Sequence, residues 1–168
     1  MLNSQPGVDE DMSDSIREFR EGDLRAVEQC LAELQDFSKL IYPKVAAGTI
    51  ASQYLQYLLT RCRETDGKIF VGESGGRVVG MVCVMARVSS AAVDEEEYEY
   101  AYISDLVLLA DHRGKGLGRK LLQRAEEHAQ SQGANLLRIH VLARNEVART
   151  LYLRSGFEEH VVALQKSL

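Results

Sequence analysis

The sequence predicts a mixed α/β sandwich of the α+β class, in which helices flank a central, mixed but mostly antiparallel sheet. The chain has 168 residues, 45% of them hydrophobic and 27% charged, which suits one globular domain with a full core. Two apolar runs separated by Gly75-Gly76 indicate a β-hairpin, because adjacent glycines accept the positive φ of a tight turn. Amphipathic helices stand before and after the strands, and the predicted order is βααβββαβαβ.

The first half of the chain begins with residues 1–14, which we expect to form a disordered acidic tail, and residues 15–168 then form one domain. Residues 15–20 alternate as a short strand does, and Asp23 stands where a helix N-cap is expected. The other elements predicted in this half are a helix with an apolar face, a second helix and the two hairpin strands, at residues 24–34, 49–64, 68–74 and 77–88.

The second half contains residues 99–109, which are apolar on both faces and therefore predict a buried central strand. A helix over residues 116–132 follows and ends at Gly133, as helices often do at glycine. The remaining elements predicted here are a buried strand, a short helix that ends at Gly156 and a last strand, at residues 136–141, 146–155 and 157–164.

Composition argues against several classes of protein. The three cysteines, Cys30, Cys62 and Cys83, are odd in number and show no C-x-x-C spacing, so we expect neither a disulfide framework nor a metal site. No apolar run approaches the roughly 18 residues of a membrane span, and the acidic N-terminus does not resemble a secretory signal. The net charge of −5 and the lack of aromatic residues among the bases argue against nucleic acid. These observations predict a reducing, cytoplasmic location.

Charge is distributed unevenly along the chain. Acidic residues without any base occupy the N-terminal tail and the acidic run, which we define as residues 94–99. Outside these two stretches, 20 bases stand against 16 acids, and several bases crowd between Arg113 and Arg124. This separation favours an anionic ligand beside a cationic one, although two solvated charged segments would give the same pattern.

The segment Arg113-Gly-Lys-Gly-Leu-Gly-Arg-Lys120, here called the glycine turn, follows the predicted central strand and opens a helix. Each glycine inside a helix costs about 1 kcal/mol relative to alanine, so three of them suggest that a ligand approaches the backbone closely. The free N–H groups of a helix N-terminus suit an anion such as phosphate. A flexible turn carrying solvated bases is the structural alternative, and the pattern is neither a P-loop nor a G-x-G-x-x-G fingerprint.

A second motif, Asn145-Glu-Val-Ala-Arg-Thr-Leu-Tyr-Leu-Arg-Ser-Gly-Phe157, lies on the predicted fourth helix. Asn145 and Tyr152 are seven residues apart, which is about 10.5 Å along one helix face. Each residue also has a structural explanation, because Asn is a favoured helix N-cap and a helical Tyr often belongs to the core.

Together the two motifs resemble the R/Q-x-x-G-x-G/A and N-x-x-A-x-x-L/F-Y-x-x-x-G-F signatures of the GNAT superfamily of acyl-CoA N-acyltransferases. The resemblance covers residues 15–164 and implies a GNAT-like fold whose glycine turn cradles the pyrophosphate of coenzyme A. It also implies that the central strand pairs its backbone with the pantetheine arm. The cofactor-binding residues implied are Leu106, Val107, Leu108, Arg113, Gly114, Lys115, Gly116, Leu117, Gly118, Arg119, Asn145 and Tyr152.

The resemblance implies transfer of an acetyl group from acetyl-CoA to an amine by direct attack, with coenzyme A as the other product. We assign Tyr152 as the proton donor to the leaving thiolate, because a phenol stays protonated at neutral pH. The candidate general bases are Asp105, in the buried strand, and Glu99 or Glu97, acting directly or through water. Some polyamine-acetylating relatives carry Glu where this chain has Ser104, which leaves the base open.

The acceptor predicted is a primary amine on a small molecule or peptide: a small amine, amino acid, polyamine, aminoglycoside or protein N-terminus. The acidic run predicts that this acceptor carries positive charge. A catalytically silent, regulatory acyl-CoA-binding module is the alternative function, and an intact Tyr152 favours the enzyme. The resemblance leaves open a homodimer, and we expect no partner that is nucleic acid or membrane.

Overall fold

The computed structural model describes residues 14–90 and 96–166 and contains a five-stranded sheet in the order β1-β2-β3-β4-β5. Neighbouring strands from β1 to β4 are antiparallel, and β5 runs parallel to β4. The five strands are β1 Ser15–Glu18, β2 Lys68–Ser74, β3 Arg77–Ser89, β4 Glu99–Leu108 and β5 Leu137–Ile139.

Four helices cover the two faces of the sheet, and 3₁₀ turns precede α1, α2 and α3. They are α1 Leu24–Ile41, α2 Ala51–Glu64, α3 Leu117–Ser131 and α4 Glu146–Arg154. One apolar core joins α1 and α2 to the sheet, and a second core joins α3 and α4 to its other face. Within the described ranges, no helix has the length and apolar character that crossing a membrane requires.

The predicted fold class is confirmed, and most elements form where the sequence indicated. The two hairpin strands meet at Gly75 and Gly76, whose φ angles of 55° and 71° are the positive values that the turn needs. The helix after the glycine turn begins one residue after Gly116 and stops before Gly133, whose φ is 87°. Glycine therefore marks the turns and helix ends as the sequence analysis expected.

The predicted last strand, residues 157–164, is wrong: no strand forms in residues 157–166. Polar side chains hold this segment instead, since Arg149 pairs with Glu159 and Arg138 Nη2 lies 3.3 Å from His160 Nε2. The neighbouring β5 has only three residues and offers a short template for pairing. Local residue types were therefore insufficient to predict a strand here.

Two smaller predictions also need correction. The strand expected at residues 136–141 is limited to Leu137–Ile139 and is half-buried rather than buried, because β4 is the one strand it pairs with in the described residues. Asp23 does occupy the N-cap position of α1, but its side chain makes no cap bond to that helix. Its carboxylate accepts hydrogen bonds at 2.7 and 2.8 Å from Arg17. Because the guanidinium is charged, it is a stronger donor to the carboxylate than a backbone N–H of the helix.

An irregularity in β4 determines where its side chains face. Cys83 stands opposite Asp105, but the next residue of β3, Val84, stands opposite Ile103, so Ser104 is an extra residue in β4. A bulge of this kind bends the strand and changes which peptide groups face each neighbour. It lies at the point where β4 continues beyond its pairing with β5.

Candidate functional site

The candidate site lies along the outer edge of β4, where β5 no longer pairs with it. The two strands are in register only from Ala101 to Ile103, opposite Leu137 to Ile139. β4 continues to Leu108. In the part of the chain that the structure describes, these last residues of β4 pair with β3 alone. A stretch of strand edge is therefore open beside the start of α3.

Along this stretch of β4, successive peptide groups point alternately toward β3 and toward the open edge. The N–H of Leu109 donates to the carbonyl oxygen of Val79 at 2.9 Å. Because alternate peptide groups of an antiparallel strand face opposite ways, those of Leu106 and Leu108 face away from β3. The carbonyl oxygen of Leu108 accordingly accepts a bond from Arg113 Nε at 2.9 Å. An extended ligand could thus pair with this edge as an added strand does.

Val107, the third residue predicted to bind the cofactor in this strand, has a different environment. It stands opposite Met81 in β3, and its peptide groups face that strand. Its side chain is 4% exposed and belongs to the core under α1 and α2. Val107 therefore supports the strand, whereas Leu106 and Leu108 present their backbone to the open edge.

The glycine turn brings the chain from β4 into α3. Gly114 and Gly116 have φ angles of 75° and 91°, and no heavy atom lies within 4 Å of a Cβ built at either position. Gly116 is the N-cap residue of α3. A Cβ at Gly118 would lie 3.4 Å from Leu108 Cδ1, at the junction between the turn and the open edge of β4. The turn therefore combines positive φ with open space around its backbone.

The N-terminus of α3 presents backbone donors to this space. The N–H groups of Arg119 and Lys120 bond to the carbonyl oxygen of Gly116 at 3.1 and 3.2 Å. The N–H groups of Leu117 and Gly118 precede them in the first turn, where helix donors have no partner within the helix. The side chain of Leu117 is 1% exposed, so only its backbone can meet a ligand.

Four exposed bases surround these donors: Arg113, Lys115, Arg119 and Lys120. Across residues 14–90 and 96–166, none of the four lies within 4.0 Å of a carboxylate. The guanidinium of Arg113 lies 5.7 Å from the centre of the Phe37 ring, and Lys115 Nζ donates to the Asp111 carbonyl at 3.0 Å. Cations beside a helix N-terminus repel its dipole, so this arrangement favours an anionic ligand.

Helix α4 holds the second motif. Asn145 is its N-cap and accepts a bond from the Ala148 N–H at 3.2 Å, which confirms the structural explanation of this residue. Tyr152 is 8% exposed and packs its ring 5.9 Å from that of Phe157. Its hydroxyl has no hydrogen-bond partner within the described part of the chain. Burial, with the nearby charge of Asp105, raises the pKa of Tyr152 to about 12.

Asp105 is a buried carboxylate, 7% exposed, on the face of β4 under α2. The Tyr54 hydroxyl donates to both of its oxygens, at 3.1 and 3.3 Å. Burial raises the pKa of Asp105, and the hydrogen bonds from Tyr54 oppose this rise. No ion pair in the described residues includes Asp105, which is unusual for a buried acid and typical of functional sites.

The sequence analysis missed an aromatic group around Asp105. The rings of Tyr54 and Tyr57 stack with centres 6.0 Å apart, and the Tyr102 hydroxyl lies 3.2 Å from His140 Nδ1. Burial raises the pKa of Tyr102, and the charge of Asp105 adds to this rise. The sequence signal was present as two tyrosines three residues apart on α2, but nothing in it placed α2 over β4.

Glu99, the other residue in our set of catalytic candidates, is not near this group. It is the exposed first residue of β4, and its carboxylate pairs with Arg87 at 3.3 Å. Six residues of strand separate it from Asp105, which is about 20 Å. The charge of Asp105 contributes to the raised pKa of Tyr152, whereas Glu99 lies at the far end of the strand.

The rest of the acidic run is only partly described. Asp94 and Glu95 lie outside the described residues, as does most of the N-terminal tail predicted over residues 1–14. Glu96 and Glu97 are exposed. Whether either of them acts as a base stays a prediction.

The chain is similar in sequence to known proteins. The family model described as "Acetyltransferase (GNAT) family" matches residues 31–157. An uncharacterized N-acetyltransferase of Bacillus subtilis is 38% identical over 77 residues, which are 46% of this chain and 49% of that protein. The thialysine N-epsilon-acetyltransferase of Mus musculus is 26% identical over 149 residues, covering 88% of this chain and 85% of that protein.

Solved structures share the fold. An aminoglycoside N-acetyltransferase in complex with CoA superposes with a TM-score of 0.67 at 14% identity, covering 93% of this chain and 96% of that chain. At this identity the likeness shows the fold alone. The chain spans about half the length of the first curated relatives it matches, at 49% and 47% of those proteins.

Proposed function

The chain belongs to the GNAT family of acetyltransferases, and we propose that it transfers an acetyl group from acetyl-CoA to a primary amine. The observation that carries this proposal is the position of Asp105, a buried carboxylate that has no ion-pair partner among the described residues, in the strand whose open edge leads to the glycine turn. The open edge and the glycine turn could bind acetyl-CoA, the donor substrate. The carboxylate could accept the proton that the acceptor amine must lose.

Acetyl-CoA fits the open edge of β4 and the glycine turn. Its pyrophosphate would meet the N–H groups at the start of α3 and the four exposed bases of the turn. Its pantetheine arm carries amide groups, which would pair with the outward peptide groups of Leu106 and Leu108. A structural neighbour of this fold carries CoA, which agrees with this assignment. We propose that Val107 and the side chain of Leu117 support the site from within the core.

The acid and the base act on opposite sides of the acetyl group. The acceptor arrives as an ammonium ion and gives one proton to Asp105, whose raised pKa makes it a stronger base than an exposed carboxylate. The amine nitrogen then forms a bond to the thioester carbon, and the carbon–sulfur bond breaks. Tyr152 donates its proton to the departing thiolate, since its pKa of about 12 keeps the phenol protonated.

We propose that the acceptor carries positive charge where it binds. Asp105 lacks a cation of its own in the described residues, and the rings of Tyr54, Tyr57 and Tyr102 offer faces to an ammonium group. The exposed acids of the acidic run would raise the local concentration of such an amine. The relative from Mus musculus is named for an amine acceptor, thialysine, which agrees with this class.

The test is the release of free thiol from acetyl-CoA in the presence of a panel of amines: a diamine, an amino acid, an aminoglycoside and a peptide. We expect turnover with at least one cationic amine, and a KM for that amine that rises with ionic strength. Tyr152→Phe keeps the ring and removes the proton donor, so kcat should fall by about 100-fold with the affinity for acetyl-CoA unchanged.

Acetyl-CoA binding without thiol release for any amine would instead identify a silent acyl-CoA-binding module. Normal turnover in the Tyr152→Phe variant would leave that tyrosine with a packing role only. If the KM for the best amine does not change with ionic strength, the acidic run is a solvated loop with no role in binding the acceptor.

A further inference from the structure

Two cysteine thiols face each other behind the candidate site. The Sγ atoms of Cys62, in the last turn of α2, and Cys83, in β3, are 3.6 Å apart. Both thiols are free, and both belong to the core between α2 and the sheet. A disulfide has an S–S distance of about 2.05 Å, so a relative shift of about 1.5 Å would join them.

Cys62 is accessible to a small reagent through a cavity of about 410 Å³, which lies away from the glycine turn. The cavity is lined by residues of β2, α2 and α3, among them Cys62, Arg63, Lys68 and His128. Cys62 itself is 8% exposed, whereas Cys83 is 0% exposed and lies behind it. A reagent that enters the cavity therefore meets Cys62 first.

The surroundings make Cys62 the nucleophile of the pair. The hydrogen bond with Cys83 lowers the pKa of the Cys62 thiol against the opposing effect of burial, and the nearby charges of Lys68 and Arg63 lower it further. The same hydrogen bond and burial raise the pKa of Cys83, which therefore keeps its proton. A thiol with a lowered pKa beside a thiol that keeps its proton is the arrangement that favours oxidation to a disulfide.

We propose that Cys62 and Cys83 form a redox-active dithiol, which hydrogen peroxide that enters the cavity oxidises to a disulfide. The Cys62 thiolate attacks the peroxide oxygen, the O–O bond breaks, and hydroxide leaves and takes a proton to become water. The sulfur of Cys83 then attacks the sulfenic acid at Cys62, which forms the S–S bond and releases a second water. The two thiols lose two electrons in total, and the peroxide gains them.

Oxidation of this pair would change the surroundings of Asp105, the proposed general base. Cys83 stands opposite Asp105 in the β3–β4 register, and Cys62 lies on the same helix as Tyr54, which donates to Asp105. Joining the two sulfurs draws α2 and β3 together and so displaces Tyr54 relative to Asp105. This consequence rests on the proposed function, and we expect kcat to fall reversibly by tenfold or more, since misplacement by about 1 Å can cost 10²-fold.

The test treats the whole wild-type protein with hydrogen peroxide and counts its thiols under denaturing conditions. We expect the free thiols to fall from three to one, and a non-reduced peptide map to contain a single cross-linked pair, from Cys62 and Cys83. Dithiothreitol should restore all three thiols. Three thiols remaining, or oxidation that stops at sulfinic acid without a cross-link, would overturn the proposal.

Cys30 provides a matched control within the chain. It is 0% exposed, and burial raises its pKa to about 12, so it should remain a thiol throughout. Cys30→Ala should leave the cross-link intact, whereas Cys62→Ser should abolish it. The thiol count does not depend on any acetyl transfer. A cross-link that forms without changing kcat would reject only the link to Asp105, and a protein with no transferase activity would still show the cross-link.

Discussion

The glycine turn and the group around Asp105 are built in opposite ways. The turn consists of eight consecutive residues and presents backbone donors and exposed bases. The group around Asp105 draws on α2, β3, β4 and the residue after β5, and surrounds one buried carboxylate with side chains from separate elements. An anion can be held by local backbone and charge, whereas a shifted pKa requires several elements that exclude water together.

The two regions also treat charge in opposite ways. The bases of the turn are exposed and unpaired in the described chain, so salt should screen them. Asp105 is buried under α2, and its pKa responds to desolvation and to hydrogen bonds. Substitutions at Asp105 should therefore change the chemical step, and substitutions in the turn should change the binding of acetyl-CoA.

The largest effect is expected for Asp105→Asn. The amide still accepts the bond from Tyr54 but cannot take a proton, so kcat should fall by about 10²- to 10⁴-fold. In the wild type, kcat/KM should fall as the pH drops through the folded pKa of Asp105, which lies above the usual 3.8. This acid limb should be absent from the variant, as initial rates measured across pH would show.

Stability separates this role from a structural one. Because burial raises the pKa of Asp105, its contribution to stability is fully present below the unfolded pKa and is lost as the pH rises through the folded value. At pH 7, Asp105→Asn should therefore melt at a temperature no lower than the wild type. A large drop in melting temperature, or an acid limb that persists, would contradict the assignment of Asp105 as the base.

A smaller effect is expected from Gly116→Ala, compared with Gly133→Ala. The two glycines are matched, with φ angles of 91° and 87° and no heavy atom within 4 Å of an added Cβ. Both variants should lose about 1–2 kcal/mol of stability. Only Gly116→Ala should weaken acetyl-CoA binding, by about tenfold, because it alters the donors at a helix N-terminus. Equal affinities of the two variants for acetyl-CoA, measured by calorimetry, would show that acetyl-CoA does not bind at the glycine turn.

The smallest effect is expected from Lys115→Ala, compared with Arg113→Ala. Lys115 contributes charge, so its loss should weaken acetyl-CoA binding a few-fold at low salt and hardly at all near 1 M salt. Arg113 also bonds to the Leu108 carbonyl and lies over Phe37, so part of its effect should survive high salt. The salt dependence of the dissociation constant distinguishes the two. Identical salt dependence in both variants would contradict a packing role for Arg113.

The regions also differed in how far the sequence could predict them. Asn145 illustrates the limit of a motif, since the same residue type serves as a cap and as a ligand group, and the structure confirms the cap. Glu99 illustrates a second limit. Its acidity and position in the chain made it a candidate base, but β4 carries it to the exposed end, beside Arg87. The last predicted strand failed because strand formation depends on a partner of sufficient length.

The sequence by itself determined the order of the elements as far as α4, the hairpin at Gly75-Gly76 and the positive φ and exposed bases of the glycine turn. These features depend on local periodicity, positive φ and neighbouring charges, which consecutive residues encode directly. Only the tertiary structure decided that Tyr54 reaches Asp105, that Cys62 meets Cys83 and that β5 leaves the end of β4 open. The first two contacts join residues 51 and 21 positions apart, so they arise from the packing of α2 against the sheet. The third feature depends on the register between β4 and β5. No local sequence pattern encodes either.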